Sequence, residues 1–362
     1  MRNWVSNFLG MAIILLSAGS VGAEGSDHYN HSNENLPSFS VWAEFLYLKP
    51  CENGLELGAI AVGEGMSDQD VLSIEGELTV KSLKFKWSPG VRVGLGYRIP
   101  CQKWRMEGIW THYHTDAKKN LSLTGPDAIF FPAWGVPAPL TGVDDAISVG
   151  AKWKLNLNIA DFLFKRPIMF DCDLLLTPFM GVTAAFLEQK FDYFLFAPIV
   201  FPGAPLFHLD EELDVKSKFA GAGIKIGTDI EWKFSSHHGF SVYGQAAGSL
   251  LYGHYHTHVN TDIDLEEETE ILDVNAEILE KRHHCDFLGV IDLGLGLRYT
   301  MGFSCDSLLL TLQLGWEQHL YFEANKLEDT LFPPVLGFDS GQRGRNFDLS
   351  LQGLTAGVAL DF

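Results

Sequence analysis

Leu349–Phe362, LSLQGLTAGVALDF, is the stretch that decides the fold. Counted back from Phe362, every second residue as far as Leu354 is apolar, and the residues between them are small or polar. Successive side chains of a β-strand point to opposite faces, so this alternation predicts a strand with one apolar face and one polar face. A half-buried strand of a soluble sheet alternates in the same way. The fold class therefore depends on whether the pattern recurs.

The alternation does recur along the chain. Its clearest example is Leu83–Ile99, where apolar residues interleave with Lys84, Lys86, Arg92 and Arg98. The predicted strands begin near Phe39, Leu83, Trp104, Val149, Leu174, Ala220, Phe240, Phe287, Leu308 and Leu349. Most of them exceed the roughly 9–11 residues that a tilted strand needs to cross a membrane. The pattern therefore favours a set of membrane-spanning strands over one soluble sheet.

The connections between these segments alternate in length. Those around Pro100, Arg166, His237 and Phe303 are short, and the others are long. Short periplasmic turns alternating with long external loops are typical of outer-membrane barrels, and an even strand number places both termini in the periplasm. We therefore predict an all-β fold, an antiparallel transmembrane β-barrel of about ten strands, or up to twelve if Ser73–Val80 adds to the count.

The N-terminus has the composition of a secretory signal. Arg2 precedes the short apolar run Phe8–Leu16, and the small residues Val21-Gly22-Ala23 suit signal-peptide cleavage. We predict a signal peptide over 1–23, a polar periplasmic segment over 24–38 and the barrel over 39–362. Export together with a barrel predicts the outer membrane as the location, with its lipid and the barrel assembly machinery as partners.

Composition excludes several classes of function. A net charge of −20 argues against a nucleic-acid partner. After residue 23 there is no apolar run long enough for a transmembrane helix. No nucleophile-elbow, zinc-protease or phosphate-loop motif occurs, so we predict no enzyme, no catalytic residue and no cofactor.

Four segments, taken together, resemble a known family. They are Phe39–Pro50 (FSVWAEFLYLKP), Phe85–Tyr97 (FKWSPGVRVGLGY), Gly315–Leu320 (GWEQHL) and Gln352–Phe362 (QGLTAGVALDF). Their order and spacing are similar to those of the Legionella-type major outer membrane protein family, pore-forming proteins also met in chlamydia-related bacteria. This resemblance implies an outer-membrane barrel with porin activity and implies no catalytic residues.

Charged residues on the polar faces of the predicted strands are the candidate pore lining. They are Lys84, Lys86, Arg92, Arg98, Arg105, Glu107, Lys152, Lys154, Lys225, Asp229, Glu231, Asp292, Arg298 and Glu317. A lining of this composition is slightly basic and predicts a preference for anions. We predict a porin for passive diffusion of ions and small hydrophilic solutes that is also a major structural component of the envelope. The alternative is a closed structural or adhesive barrel, because about eight strands leave room only for side chains and 16–18 leave a channel.

The chain has five cysteines, Cys51, Cys101, Cys172, Cys285 and Cys305. Disulfides form in exported proteins, so these residues are disulfide candidates. Their number is odd, so at least one thiol is free or joins another molecule. Possible partners are other envelope proteins or further copies of this chain.

Two other features carry predictions about single residues. The aromatic terminal residue Phe362 is the candidate assembly signal of the barrel. His254, His256 and His258 stand two apart, which would place them on one face of an extended segment. Without a matching pattern of Cys or carboxylate ligands we predict no metal site.

Overall fold

The computed structural model describes residues 39–62, 77–100, 103–124, 128–134, 140–141, 147–170, 173–200, 206–234, 239–267, 273–303, 308–326 and 347–362. The predicted signal peptide, the segment 24–38, and Cys101, Cys172 and Cys305 lie outside these residues. The strands are β1 (Phe39–Glu52), β2 (Glu56–Val62), β3 (Glu77–Ser82), β4 (Ser88–Arg98), β5 (Arg105–Leu123), β6 (Ala128–Pro132), β7 (Leu140–Thr141), β8 (Ile147–Lys165), β9 (Ile168–Met169), β10 (Leu174–Val200), β11 (Leu206–Lys233), β12 (Phe240–Glu267), β13 (Asp273–Phe303), β14 (Leu308–Asn325) and β15 (Phe347–Asp361).

Ten of these strands form one closed antiparallel sheet. Its order is β1, β4, β5, β8, β10, β11, β12, β13, β14 and β15, and β15 pairs again with β1. The register joins Ser40 to Asp361 and Glu52 to Leu349, so the last strand closes the ring along nearly all of the first. The predicted antiparallel barrel of ten strands is confirmed. The described residues contain no helix that is long and apolar enough to cross a membrane.

The outer wall has two zones. In the lower zone the outward residues are exposed and apolar, for example Met180, Val182 and Phe186 on β10. We call this zone the lipid-facing band; on the longest strands it covers 174–186, 220–232, 240–252 and 287–303. Inward positions at this level hold small, polar or charged residues, such as Thr183 on β10. This is the polarity expected of a membrane barrel.

Above the band the polarity of the wall inverts. On β10 the outward residues become Glu188 and Lys190, and the inward residues become Leu187 and Phe191, which are buried. The same change occurs on β11, β12 and β13, so 188–200, 206–218, 254–267 and 273–285 form an extracellular extension of the wall. We predicted most of these residues as long external loops. The structure differs because a strand in water turns its polar face outward and its apolar face toward a core.

A second, four-stranded sheet in the order β3, β2, β6 and β7 supplies the interior of this extension. Its buried residues, with the residues that adjoin it, are called the plug: Leu55, Leu57, Ile60, Phe130, Trp134 and Leu140. They belong to the same apolar core as the inward residues of β8 and β10. The Trp134 ring lies 4.7 Å from the Phe191 ring, centroid to centroid, so the plug packs directly on the wall. Apolar side chains therefore fill the upper lumen.

Candidate functional site in the lumen

Seven charged side chains meet inside the barrel at the level of the lipid-facing band. We call them the lumen network: Glu44, Arg92, Glu317, His319, Asp292, Lys225 and Asp161. They come from β1, β4, β14, β13, β11 and β8, so the chain of contacts crosses the lumen from one wall to the opposite one. Strand alternation brings them together, since each stands at an inward position.

Arg92 holds one end of the lumen network. Its Nη1 atom lies 2.8 Å from Glu44 Oε2 and 3.0 Å from Glu317 Oε1, and its Nη2 atom lies 2.8 Å from Glu317 Oε2. The contact with Glu317 is therefore bidentate, the geometry in which guanidinium and carboxylate bind most strongly. Gln313 donates a further hydrogen bond to Glu44.

His319 and Lys225 continue the chain of contacts across the lumen. His319 Nε2 lies 3.2 Å from Glu317 Oε2, and His319 Nδ1 lies 2.8 Å from Asp292 Oδ1. Lys225 Nζ lies 2.9 Å from Asp292 Oδ2 and 3.1 Å from Asp161 Oδ2. Each cation thus sits between two carboxylates, which is how buried charges are tolerated in proteins.

A second cluster centres on Lys165 and Glu107. Lys165 Nζ lies 2.6 Å from Glu107 Oε2 and 3.1 Å from Asp229 Oδ2, and Trp42 Nε1 donates to Glu107 Oε1 at 2.8 Å. Gly94 makes room for this indole, because a Cβ atom at that position would lie 2.3 Å from Trp42 Cε2. The glycine is therefore required by a close approach inside the barrel.

A third cluster joins Arg298 to Glu231. Arg298 Nη1 lies 2.6 Å from Glu231 Oε2, and Ser241 Oγ donates to Glu231 Oε1 at 2.9 Å. The guanidinium also lies 4.8 Å from the centre of the Tyr243 ring. These contacts extend the charged lining along the inner wall below the lumen network.

Most of the predicted lining residues stand on the inner wall. They are Arg92, Arg98, Arg105, Glu107, Lys225, Asp229, Glu231, Asp292, Arg298 and Glu317. Lys84 and Lys86 are exposed and precede β4, while Leu83 of the same stretch is buried in the apolar core. Whether the inward residues line an open pore is a separate question.

For Lys152 and Lys154 the structure reverses the predicted facing. Trp153 and Leu155, between and after them on β8, are fully buried in the upper core, and the two lysines lie on the outer wall. The alternation was read correctly, but this part of β8 belongs to the extracellular extension. There the apolar face packs inward on the plug instead of outward on lipid.

Asp161, Lys165 and His319 are lumen residues that the sequence reading missed. The first two share a face with Leu155 and Leu157, which we had assigned to lipid, so the reversed facing of β8 hid them. His319 stands two residues after Glu317 on a strand whose facing we predicted. That spacing is the signal that could have found it.

The remaining predicted sites have simple placements. Cys51 and Cys285 are exposed and are free thiols. Cys285 Sγ lies 3.1 Å from His254 Nδ1. His256 lies opposite His283 on the outer wall. Within the described part of the chain no three His, Cys, Asp or Glu donors form a metal-binding group.

Comparisons with known proteins place the chain. A family profile described as the Legionella pneumophila major outer membrane protein precursor matches residues 33–362. Among solved structures the chain is similar to the outer membrane protease OmpT of Escherichia coli, with 8% identity, a TM-score of 0.43 and coverage of 90% of this chain and 97% of that chain. It is also similar to the Pseudomonas putida toluene transporter TodX, with 8% identity, a TM-score of 0.22 and 89% coverage of both chains.

Both structural likenesses score too low to bear on function, and no curated protein matches the chain. The family profile is different, because it covers the whole barrel from β1 to β15. The protein therefore belongs to the Legionella major outer membrane protein family and lies in the outer membrane of the cell.

Proposed function

We propose that the protein is a pore-forming outer-membrane protein whose narrow pore is closed by the lumen network and the plug. One observation carries this proposal: charged side chains, and not apolar ones, occupy the lumen at the level of the membrane. A ten-stranded barrel is narrow enough to be filled by side chains alone. Such a barrel could be filled with leucine or valine if closure were its only purpose.

The energetics of buried ion pairs support this reasoning. Taking two charges out of water costs several kcal/mol per ion, and replacing a buried pair by apolar residues is often neutral or stabilising. The contacts between Arg92 and its two carboxylates are therefore not needed to stabilise a closed barrel. They can, however, exchange partners, and each exchange would leave a polar path for water and ions.

The lining also sets an expectation for selectivity. The inward cations of the band are matched by inward acids, since Lys165 faces Glu107 and Asp229, and Lys225 faces Asp161 and Asp292. The slightly basic lining that we predicted depended on lysines that lie elsewhere. We therefore expect weak ion selectivity and no strong preference for anions.

The second candidate is a closed structural barrel of the envelope. The observation that favours it is the plug, whose apolar side chains are continuous with the core of the wall. Plug and barrel belong to separate hydrogen-bonded sheets, so the plug can leave without breaking the ladder of the wall. The two candidates therefore differ in whether it ever leaves.

Neither candidate includes a catalytic step. His319 has both ring nitrogens in contact with carboxylates, Asp292 and Glu317. An imidazole held in this way has no nitrogen available for a substrate.

Conductance across planar bilayers distinguishes the two candidates. We expect small, brief openings for the wild-type protein and longer openings for Arg92→Gln, because this change leaves Glu44 and Glu317 without their cation. The openings of Arg92→Gln should also favour cations. Arg98→Gln, which removes an inward arginine outside the lumen network, is the matched control and should behave like the wild type.

A variant with the plug strands replaced by a flexible linker completes the experiment. We expect a conductance several times that of the wild type, since the apolar obstruction above the lumen network is gone. If neither this variant nor Arg92→Gln conducts more than the bare bilayer while the barrel is folded, the protein is a closed structural barrel.

A further inference from the structure

Five basic residues form one row across the outer wall of the extracellular extension. We call them the basic row: Lys154, Lys190, Lys216, His258 and Lys281. The register pairs Lys154 with Lys190, Lys190 with Lys216, Lys216 with His258, and His258 with Lys281. The row therefore crosses β8, β10, β11, β12 and β13 without interruption.

The row faces outward on every strand. Its members alternate with buried inward residues, namely Leu155, Gln189, Val215 and Val259. Neighbouring strands lie about 4.8 Å apart, so residues directly opposite each other on one face are in contact range. The basic row is thus a continuous band of positive groups on the surface.

Acidic neighbours compensate only part of the row. Lys190 Nζ lies 2.7 Å from Asp192 Oδ1 and 3.4 Å from Asp214 Oδ1, and Lys216 Nζ lies 2.7 Å from Glu188 Oε1. These pairs are at the surface, where each contributes about 0–1 kcal/mol.

The other members lack such partners. Lys154 lies opposite Asp116 on β5, but neither Lys154 nor Lys281 makes a salt bridge with another described residue. Slight desolvation and then the neighbouring cations, Lys281 first, lower the pKa of His258. Like charges directly opposite each other destabilise a sheet. The wall therefore carries an uncompensated positive row that an anion would stabilise.

The height of the row restricts the source of that anion. Lys190 stands four residues above Phe186, where the lipid-facing band ends, and Lys281 stands six residues above Phe287. With a rise of about 3.3 Å per residue and a tilt of about 40°, the row lies roughly 10–15 Å above the band. A phospholipid headgroup layer is only about 5–8 Å thick. Anions at this height belong to a larger headgroup.

The opposite wall supplies an internal contrast. There Gln318, Gln352 and Lys49 share one outward row on β14, β15 and β1, also just above the apolar residues of those strands. That row contains a single charge. The basic row is therefore a feature of one side of the barrel and not a general property of its rim.

We propose that the basic row binds the phosphorylated headgroup of an outer-leaflet glycolipid. The charge complementarity is between the row and phosphates on the core sugars, which stand higher than those of a phospholipid. The net charge of the whole chain is −20, so general attraction of anions to the protein does not explain such binding. The proposal does not depend on whether the pore opens.

Titration of the refolded protein in neutral detergent tests this assignment. The probe is fluorescent lipopolysaccharide with phosphate on its inner-core sugars, added to the wild type and to the triple variant Lys154→Gln/His258→Gln/Lys281→Gln. The variant removes the uncompensated members and breaks no salt bridge. We expect about tenfold weaker binding, since each basic residue near a charged surface contributes about 1 kcal/mol. The control, Lys49→Gln/Lys84→Gln/His114→Gln, removes the same residue types outside the row and should bind like the wild type.

Three further arms complete the test. Dephosphorylated lipopolysaccharide and phosphatidylglycerol should bind the wild type weakly, and heat-modified gel mobility should show the triple variant folded. If the triple variant does not fold, Lys154→Gln/Lys281→Gln is measured in its place. Equal binding by variant and wild type, or by the dephosphorylated probe, overturns the proposal. So does inorganic phosphate, if it raises the unfolding temperature as much as the glycolipid does, because the site would then bind the free anion.

Discussion

Glu52 shows how one side chain can report on the extracellular core. It stands at the upper end of β1, is 6% exposed and lies above the lipid-facing band. Burial raises the pKa of Glu52 well above its usual value, and a hydrogen bond from Gln189 opposes this only in part. The folded protein thus prefers the neutral carboxyl group. Stability is then fully present at acid pH and is lost as pH rises from the unfolded pKa, about 4.3, toward the raised folded pKa.

We expect Glu52→Gln to stabilise the protein at pH 7 by about 1–3 kcal/mol, because the amide keeps the polar contact without a buried charge. Urea unfolding in detergent micelles, followed by tryptophan fluorescence between pH 4 and pH 8, measures the effect. The variant should lose the decline in stability with rising pH, and exposed Glu266→Gln should retain it. A lower unfolding midpoint for Glu52→Gln at pH 7 would contradict this account.

At the scale of the element, β8 contains both polarities of the wall. Phe162 and Phe164 face outward in the band, whereas Trp153 and Leu155 face inward on the plug. Strand alternation is continuous through both halves, so the apolar residues change from one face to the other along a single strand. The local pattern indicates a strand but does not indicate which side of it faces the lumen.

Cysteine labelling of intact cells tests the facing of β8. In a background with Cys51 and Cys285 replaced by serine, we expect Lys154→Cys to react with a membrane-impermeant maleimide and Leu155→Cys to be protected. The physical reason is that Leu155 is 0% exposed in the upper core. Labelling in the reverse order would return Lys154 to the lumen.

At the scale of the whole molecule, closure of the ring depends on the chain end. The backbone N–H of Phe362 donates to the carbonyl oxygen of Phe39 at 2.8 Å, and the N–H of Phe39 donates to the carbonyl oxygen of Phe362 at 2.8 Å. Their rings stack with centroids 6.3 Å apart. The last residue therefore takes part in the seam between the first and last strands, and its role as an assembly signal stays a prediction.

We expect deletion of Phe362 to reduce the amount of folded protein in the outer membrane several-fold, because the seam loses two backbone hydrogen bonds and its aromatic contact. Quantitative blotting of heat-modifiable protein in isolated outer membranes measures this. Phe362→Tyr keeps both features and should remain near the wild-type level. Equal levels for the deletion and the wild type would remove Phe362 from the assembly step.

The sequence by itself determined the class of fold, the number of strands and the segments within the lipid-facing band. It could do so because lipid and lumen impose opposite polarity on alternate residues, and this leaves a period of two in the chain. It also placed Arg92 and Glu317 on inward faces, on strands whose outward residues contact lipid.

Only the tertiary structure decided the rest. It showed that 188–219 and 253–286 belong mainly to strands, because the medium outside the wall changes from lipid to water while the inside changes from charged groups to the plug. It also brought Asp161, Lys225 and His319 into one network and aligned the basic row. Contacts of this kind depend on register and ring closure, which join residues far apart in the chain and leave no local pattern.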